Sequence, residues 1–150
     1  MLARTFPVKH PRAGSQTHFR GQILTGLKIH TIRLNYDLWL KRAENVNNGN
    51  AYVSLRQWKG KPYRSKQFEI ARLEKIRIER IDMVHYPDGG IIYQIDWQAS
   101  GFLLKTIARN DGLSKEDFIT WFFKHPVKKI QDVKGAIIHF TDFKYIRSRK

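Results

Sequence analysis

The sequence predicts an α+β domain, a small and mostly antiparallel β-barrel decorated by two or more short helices. Three observations lead to it. Apolar residues alternate at period two in the segments 51–58, 67–83, 91–97 and 135–143. Asn, Gly and Pro clusters at NNGN (47–50) and HYPDGG (85–90) supply the turns between them. Two other segments, 17–26 and 114–123, carry helical spacing with recognisable caps.

In chain order, residues 1–16 are expected to be irregular, because Pro7, Pro11 and Gly14 interrupt the backbone before Thr17. Thr17 then reads as an N-cap, Phe19, Ile23 and Leu24 recur on one helical face, and Gly26 occupies the position of a left-handed C-cap. Leu34 to Leu40 fits either a helical turn or an irregular crossing. The segment AYVSLRQW (51–58) alternates as a half-buried strand does. From 67 to 83 the phase shifts between Ile70 and Ile76, which gives two strands or one bulged strand, although Ile70, Leu73 and Arg77 also fit a helical period. The turn at 85–90 joins this segment to IIYQIDW in a hairpin. RNDG (109–112) is a loop, and Ser114 with Asp117 forms a capping box that starts a helix ended by Pro126. GAIIHFTDF (135–143) is the last strand, and KYIRSRK is a basic tail expected to fray. Trp97 and Trp121 fall in apolar phases and are expected in the core.

A chain of 150 residues, 41% hydrophobic, suits one domain spanning 1–150. Its formal net charge is +15, from 28 Lys and Arg against 13 Asp and Glu, which points to a polyanionic partner. Nucleic acid leads among polyanions, since phosphate neutralisation releases counterions and the four Trp and six Tyr offer stacking surfaces. The apolar runs are too short to span a bilayer, so no membrane partner is expected. No apolar stretch at the amino terminus precedes a small-residue cleavage site, and cysteine is absent; a cytoplasmic protein is the expectation. The histidines at 10, 18, 30, 85, 125 and 139 show no metal-ligand spacing, so neither a metal nor another cofactor is expected.

The densest chemistry lies in GLKIHTIR (26–33), where Lys28, His30 and Arg33 crowd a segment just beyond a helix. On charge alone these residues read as a solvated cationic turn, and Thr31 as a residue starting a strand. A helix followed by Gly-x-Lys-x-x-Thr-Ile-Arg and then a small barrel resembles the activating signal cointegrator homology (ASCH) family, which belongs with the PUA-like RNA-binding folds. The match rests on Gly26, Lys28, Thr31, Ile32 and Arg33. The resemblance implies a PUA-like barrel that binds RNA or a nucleoside or nucleotide ligand in a basic cleft around Lys28, His30 and Arg33.

One branch of that family hydrolyses acetylated cytidine with a Lys, a Thr and a downstream Glu. By resemblance Lys28 and Thr31 fill the first two places and Asp111, one methylene shorter, fills the third. An amidohydrolase acting on an acylated nucleoside, or an RNA-cleaving enzyme in the same cleft, is therefore the alternative. A partly buried lysine of lowered pKa can act as a base there, with Thr31 as nucleophile or water-positioning group. Asp111 within Asn-Asp-Gly equally suits a turn or an anion at a helix start. A further binding surface is suggested by Trp58 and Tyr63, which flank Lys59, Lys61, Arg64 and Lys66 outside any clean apolar face. By charge and proline stiffness, His10 and Arg12 in KHPRAG are also expected to border a pocket.

Overall fold

In the computed structural model, which describes residues 1–146, strand pairing sorts the chain into two sheets. The first contains β1 (Leu2–Phe6), β3 (Val53–Trp58) and β4 (Gln67–Leu73) in the order β1-β3-β4. Its β1 and β3 run parallel, and β3 and β4 pair antiparallel with a register shift between Leu55 and Arg56. The second contains β2 (His30–Leu34), β5 (Arg77–His85), β6 (Ile91–Ile95), β7 (Gln98–Ala99) and β8 (Gln131–His139), ordered β2-β8-β5-β6-β7 and antiparallel throughout. Four helices complete the described residues: α1 (Phe19–Thr25), α2 (Tyr36–Asn47), α3 (Leu104–Asn110) and α4 (Lys115–Phe122). The class is α+β and mostly antiparallel, as the alternation predicts.

The long central pair β5 and β8 shows why. Glu79, Ile81, Met83 and His85 are buried while their neighbours in β5 are half-buried, so one face of the sheet is sealed. In β8 every residue from Gly135 to His139 is buried, because β2 and β5 cover both edges. Helix α2 packs across β5 and β8, and α1 packs against β4.

Several expectations are corrected. Residues 2–6 form a strand rather than an irregular arm, and only 7–16 fit that description. The cause is non-local, since β1 is defined by its partner β3 some fifty residues away. The Leu34–Leu40 region opens a full helix, α2, capped by the Asn35 side chain, which accepts a hydrogen bond from Leu38 N–H at 3.1 Å. Its buried stripe is Trp39, Ala43 and Val46, while Leu38 and Leu40 are exposed and hide that phase in the sequence. A third helix, α3, buries Leu104, Ile107 and Ala108 and takes in Arg109 and Asn110, so only Asp111 and Gly112 of the expected RNDG loop lie outside it.

Thr17 is not the cap of α1. Its hydroxyl donates to the carbonyls of Pro7 and Val8, and His18 stands at the cap position with φ 55°. Gly26 does end α1 in the left-handed region at φ 81°, and Ser114 caps α4 by accepting from Asp117 N–H. The phase shift at 70–76 separates two strands, β4 and β5. Trp97 lies outside the core, 63% exposed. Trp121 is half-buried and packs against the core.

The expected fraying tail is also corrected as far as Ile146; residues 147–150 lie outside the described part. Tyr145 is buried, and the Glu79 carboxylate accepts from the backbone N–H of Tyr145 at 2.7 Å and of Ile146 at 2.9 Å. The same carboxylate accepts from His139 Nε2 at 2.7 Å. A buried carboxylate with three donors ties the chain end to the central sheet.

Candidate functional site

GLKIHTIR is not a turn but the lead-in to an edge strand. Beyond Gly26, the N–H groups of Leu27 and Lys28 both return to the carbonyl of Gln22, which satisfies the end of α1. Ile29 then donates to the carbonyl of Asn110 and accepts from Phe140 N–H, both at 2.9 Å. Residues 30–34 continue as β2 along β8. The segment is therefore clamped between the turn after α3 and the end of β8.

This clamp brings Lys28 to Asp111 across 83 residues of sequence. The Lys28 amine donates to the Asp111 backbone carbonyl at 2.6 Å and to its Oδ1 at 3.1 Å. It also lies 4.4 Å from the ring centre of Phe19 and 5.2 Å from that of Phe6, so aromatic faces cover its remaining sides. Gly112 makes the approach possible. It adopts φ 82°, and a Cβ there would stand 3.1 Å from Lys28 Cδ and from the Phe19 ring. Burial holds the Lys28 amine below its ordinary pKa, with Asp111 acting in the opposite sense.

Behind the pair runs a chain of polar groups. Asn110 Nδ2 donates to the Tyr145 hydroxyl at 3.0 Å, and that hydroxyl lies 2.6 Å from His30 Nε2. The donor order assigns the Tyr145 proton to His30 Nε2 and leaves the imidazole proton on Nδ1, 3.4 Å from Asp111 Oδ1. That last contact lacks hydrogen-bond geometry, and Nδ1 stays buried without a partner. Burial lowers the His30 pKa, and Asp111 works against the shift. His30 is a neutral interior group rather than the wall of a ligand cleft.

The residues expected to act together separate into two places. Lys28, Asp111 and His30 converge, but Lys28 is 2% exposed and His30 wholly buried, so the centre is closed to a ligand in this structure. Thr31 is buried too, and strand alternation puts it with Arg33 on the face opposite His30 and Ile32. Among the described residues no hydrogen bond joins Thr31 to Lys28 or Asp111. Of the trio implied by the resemblance, Lys28 and Asp111 are joined directly, while Thr31 makes no hydrogen bond to either and shares its strand face with Arg33, which lies over the same Phe6 ring as Lys28.

The second place is the loop after β3. Trp58 and Tyr63 pack with ring centres 5.3 Å apart, and Tyr63 is 91% exposed at φ 63°. Lys61 and Arg64 are exposed around it. Arg33 lies 5.5 Å from the ring centre of Phe6, which pairs with Gln57 beside Trp58, and this links the loop to the far end of GLKIHTIR. Beside the loop, Pro7, Val8, His10 and Pro11 face Gly60, Lys61 and Pro62 across a cavity of about 440 Å³. His10 does border a pocket, as the sequence suggests. It is fixed there because Nε2 donates to the Asp117 carbonyl at 2.7 Å while Nδ1 accepts from the N–H groups of Arg12 and Ala13. The Arg12 side chain is exposed and is not among the residues lining that cavity.

Sequence reading missed Phe6 and Phe19 as the aromatic cover of Lys28, and Tyr145 and Glu79 as supports behind it. Only Phe19 carried a local signal, through its place on α1. Among the described residues no group of three or more His, Asp and Glu side chains is placed to hold a metal ion, and no helix is long and apolar enough to cross a membrane. Compared with protein-family models, with curated proteins and with solved structures, the chain matches none.

Removing one member of a buried ion pair strands the other charge. Lys28→Met is expected to lower stability by about 3–5 kcal/mol. In urea denaturation, Lys28→Met with Asp111→Asn together should cost less than the sum of the two single changes. An additive result would mean that the two groups act independently.

Acid should destabilise the fold in two steps. His30 has a folded pKa below its unfolded value of 6.5, so the unfolded chain binds the proton first and stability declines as pH falls below that value. Glu79 is pushed up by burial, but His139 and the N–H groups of Tyr145 and Ile146 more than offset this and hold it below 4.5. Its contribution is complete above the unfolded value and is lost as pH falls through the lower folded one. Urea midpoints should fall between pH 6.5 and 5, at up to about 1.4 kcal/mol per pH unit for His30, and His30→Asn should remove that first decline.

Proposed function

We propose that this chain is an RNA-binding domain of the ASCH type in the PUA-like class. On this reading it engages a single strand through the loop that follows β3 and the adjoining Arg33 end of β2. The observation that carries the reading is Tyr63, a ring exposed over 91% of its surface yet held against Trp58 at 5.3 Å in a loop rich in cations. An aromatic residue held at positive φ in water serves no packing purpose of its own. Presented among Lys59, Lys61, Arg64 and Lys66 it is a stacking surface with phosphate-neutralising charges around it. The net charge of +15 favours a polymeric anion over a single nucleoside, because each neutralised phosphate adds counterion release. The cavity walled by Pro7, Pro11 and Pro62 has room for a base beside that surface.

A second reading is favoured by the Lys28 amine, which is held in an apolar site at 3.1 Å from the Asp111 carboxylate. In an amidohydrolase such an amine would serve as the base, with Thr31 as the nucleophile toward an acylated nucleoside such as acetylated cytidine. That chemistry requires the rings of Phe6 and Phe19 to move and admit a substrate. The closed state of Lys28 makes binding the leading reading, with the Lys28–Asp111 pair as its internal support.

Titration of a single-stranded RNA should show affinity that falls steeply with salt. Tyr63→Ala is expected to weaken it by about 1–3 kcal/mol, the worth of one stacked base. Equal affinity for the variant and the wild type would overturn the loop assignment. In a parallel assay of cytidine release from acetylated cytidine, the binding reading expects no turnover. Turnover by the wild type that is lost in Lys28→Ala would establish the hydrolase instead.

A further inference from the structure

Where the two sheets and α2 meet, four cations alternate with aromatic rings. Arg42 and Arg4 lie over Trp39 at 4.8 and 4.2 Å, and Arg33 and Lys28 lie over Phe6 at 5.5 and 5.2 Å. Lys28 has Asp111. Arg4, Arg33 and Arg42 make neither an ion pair nor a side-chain hydrogen bond among the described residues. The Nε atoms of Arg4 and Arg33 are buried with no partner, and both side chains are half-buried. Their guanidiniums are held over the rings while their donors stay unspent.

Such an arrangement is costly by itself. Burial, and then the like charges of Arg33 and Arg42, push Arg4 down to about 10, so Arg4 stays charged at neutral pH. The cost is removed by an anion that bridges them, and planar guanidinium donors match the oxygens of a phosphate.

We propose that Arg4, Arg33 and Arg42 form a phosphate-binding subsite, with Trp39 and Phe6 as its rigid floor. This rests on the RNA-binding reading and deepens it: the subsite takes a phosphate of the strand whose base stacks on Tyr63. Arg33 lies over Phe6, which pairs with Gln57 beside Trp58, and this supplies the continuity between the two. The phosphate is either a backbone diester or a 5′-terminal monoester, and the two differ in what they need from the end of the strand.

The test uses the whole chain with four probes: inorganic phosphate, pyrophosphate, and one RNA oligonucleotide with either a 5′-hydroxyl or a 5′-phosphate. The variants are Arg42→Gln and Arg4→Met, the second keeping an apolar cover on Trp39. Each variant is expected to bind RNA roughly tenfold more weakly, the loss of one charge-assisted hydrogen bond. The slope of log affinity against log salt should shrink by about 0.7 per lost contact. Pyrophosphate should raise the thermal midpoint of the wild type and not that of the variants. In phosphate-free buffer the variant midpoints should not fall below that of the wild type, because repulsion is relieved. Equal binding of the two oligonucleotides assigns the subsite to a backbone diester, and preference for the 5′-phosphate assigns it to the strand terminus.

If Tyr63→Ala weakens RNA binding while both arginine variants keep wild-type affinity and slope, the subsite is wrong and the RNA-binding reading stands. If no RNA binds but pyrophosphate stabilises the wild type alone, the subsite stands and the polymer reading falls. Variants that are less stable without phosphate and respond to pyrophosphate as the wild type does would reduce the cluster to packing and overturn the proposal.

Discussion

The contact between Lys28 and Asp111 is the constraint on which the rest of the structure depends. It joins the segment leaving α1 to the corner between α3 and α4, and among the described residues it supplies the one ion pair to the four cations stacked around Phe6 and Trp39. A charge so deep in an apolar setting is tolerable only when the geometry is complete. Here completeness means two oxygens from one aspartate, two aromatic faces and a glycine at Gly112 that yields space for the lysine stem. Each of these comes from a different part of the chain, so the pair forms only when all of them are in place.

The polar chain behind it extends the same logic. Asn110, Tyr145 and His30 pass a consistent order of donors toward Asp111, and Glu79 anchors the backbone of Tyr145 from the other side. The carboxy-terminal segment therefore belongs to the centre of the molecule as far as it is described. Buried networks of this kind fix one arrangement, because a half-satisfied version costs more than none.

The surface follows the opposite rule. At Tyr63, Lys61 and Arg64, and at the guanidinium ends of Arg4 and Arg33, donors and rings are presented without internal partners. A protein that satisfied only its own stability would pair or disperse these charges. Their concentration in the loop after β3 and around Phe6 and Trp39 is the physical basis of the proposal made for an anionic partner.

The sequence by itself determined the class of fold and several of its joints: the alternation of β6, the hairpin at 85–90, the Gly26 stop of α1 and the Ser114 cap of α4. These are local, set by side-chain period and by backbone preferences within a few residues. It also singled out Lys28, Asp111, Trp58 and Tyr63. Tertiary structure alone decided that β1 exists, since a short strand is defined by its partner, and that the buried stripe of α2 runs through Trp39 rather than Leu38 and Leu40. It also turned GLKIHTIR from a cleft wall into a buried lead-in to an edge strand. Whether a lysine is solvated or buried depends on what packs over it, and Phe6, Phe19 and the Asp111 corner lie too far along the chain for any local pattern to place them there.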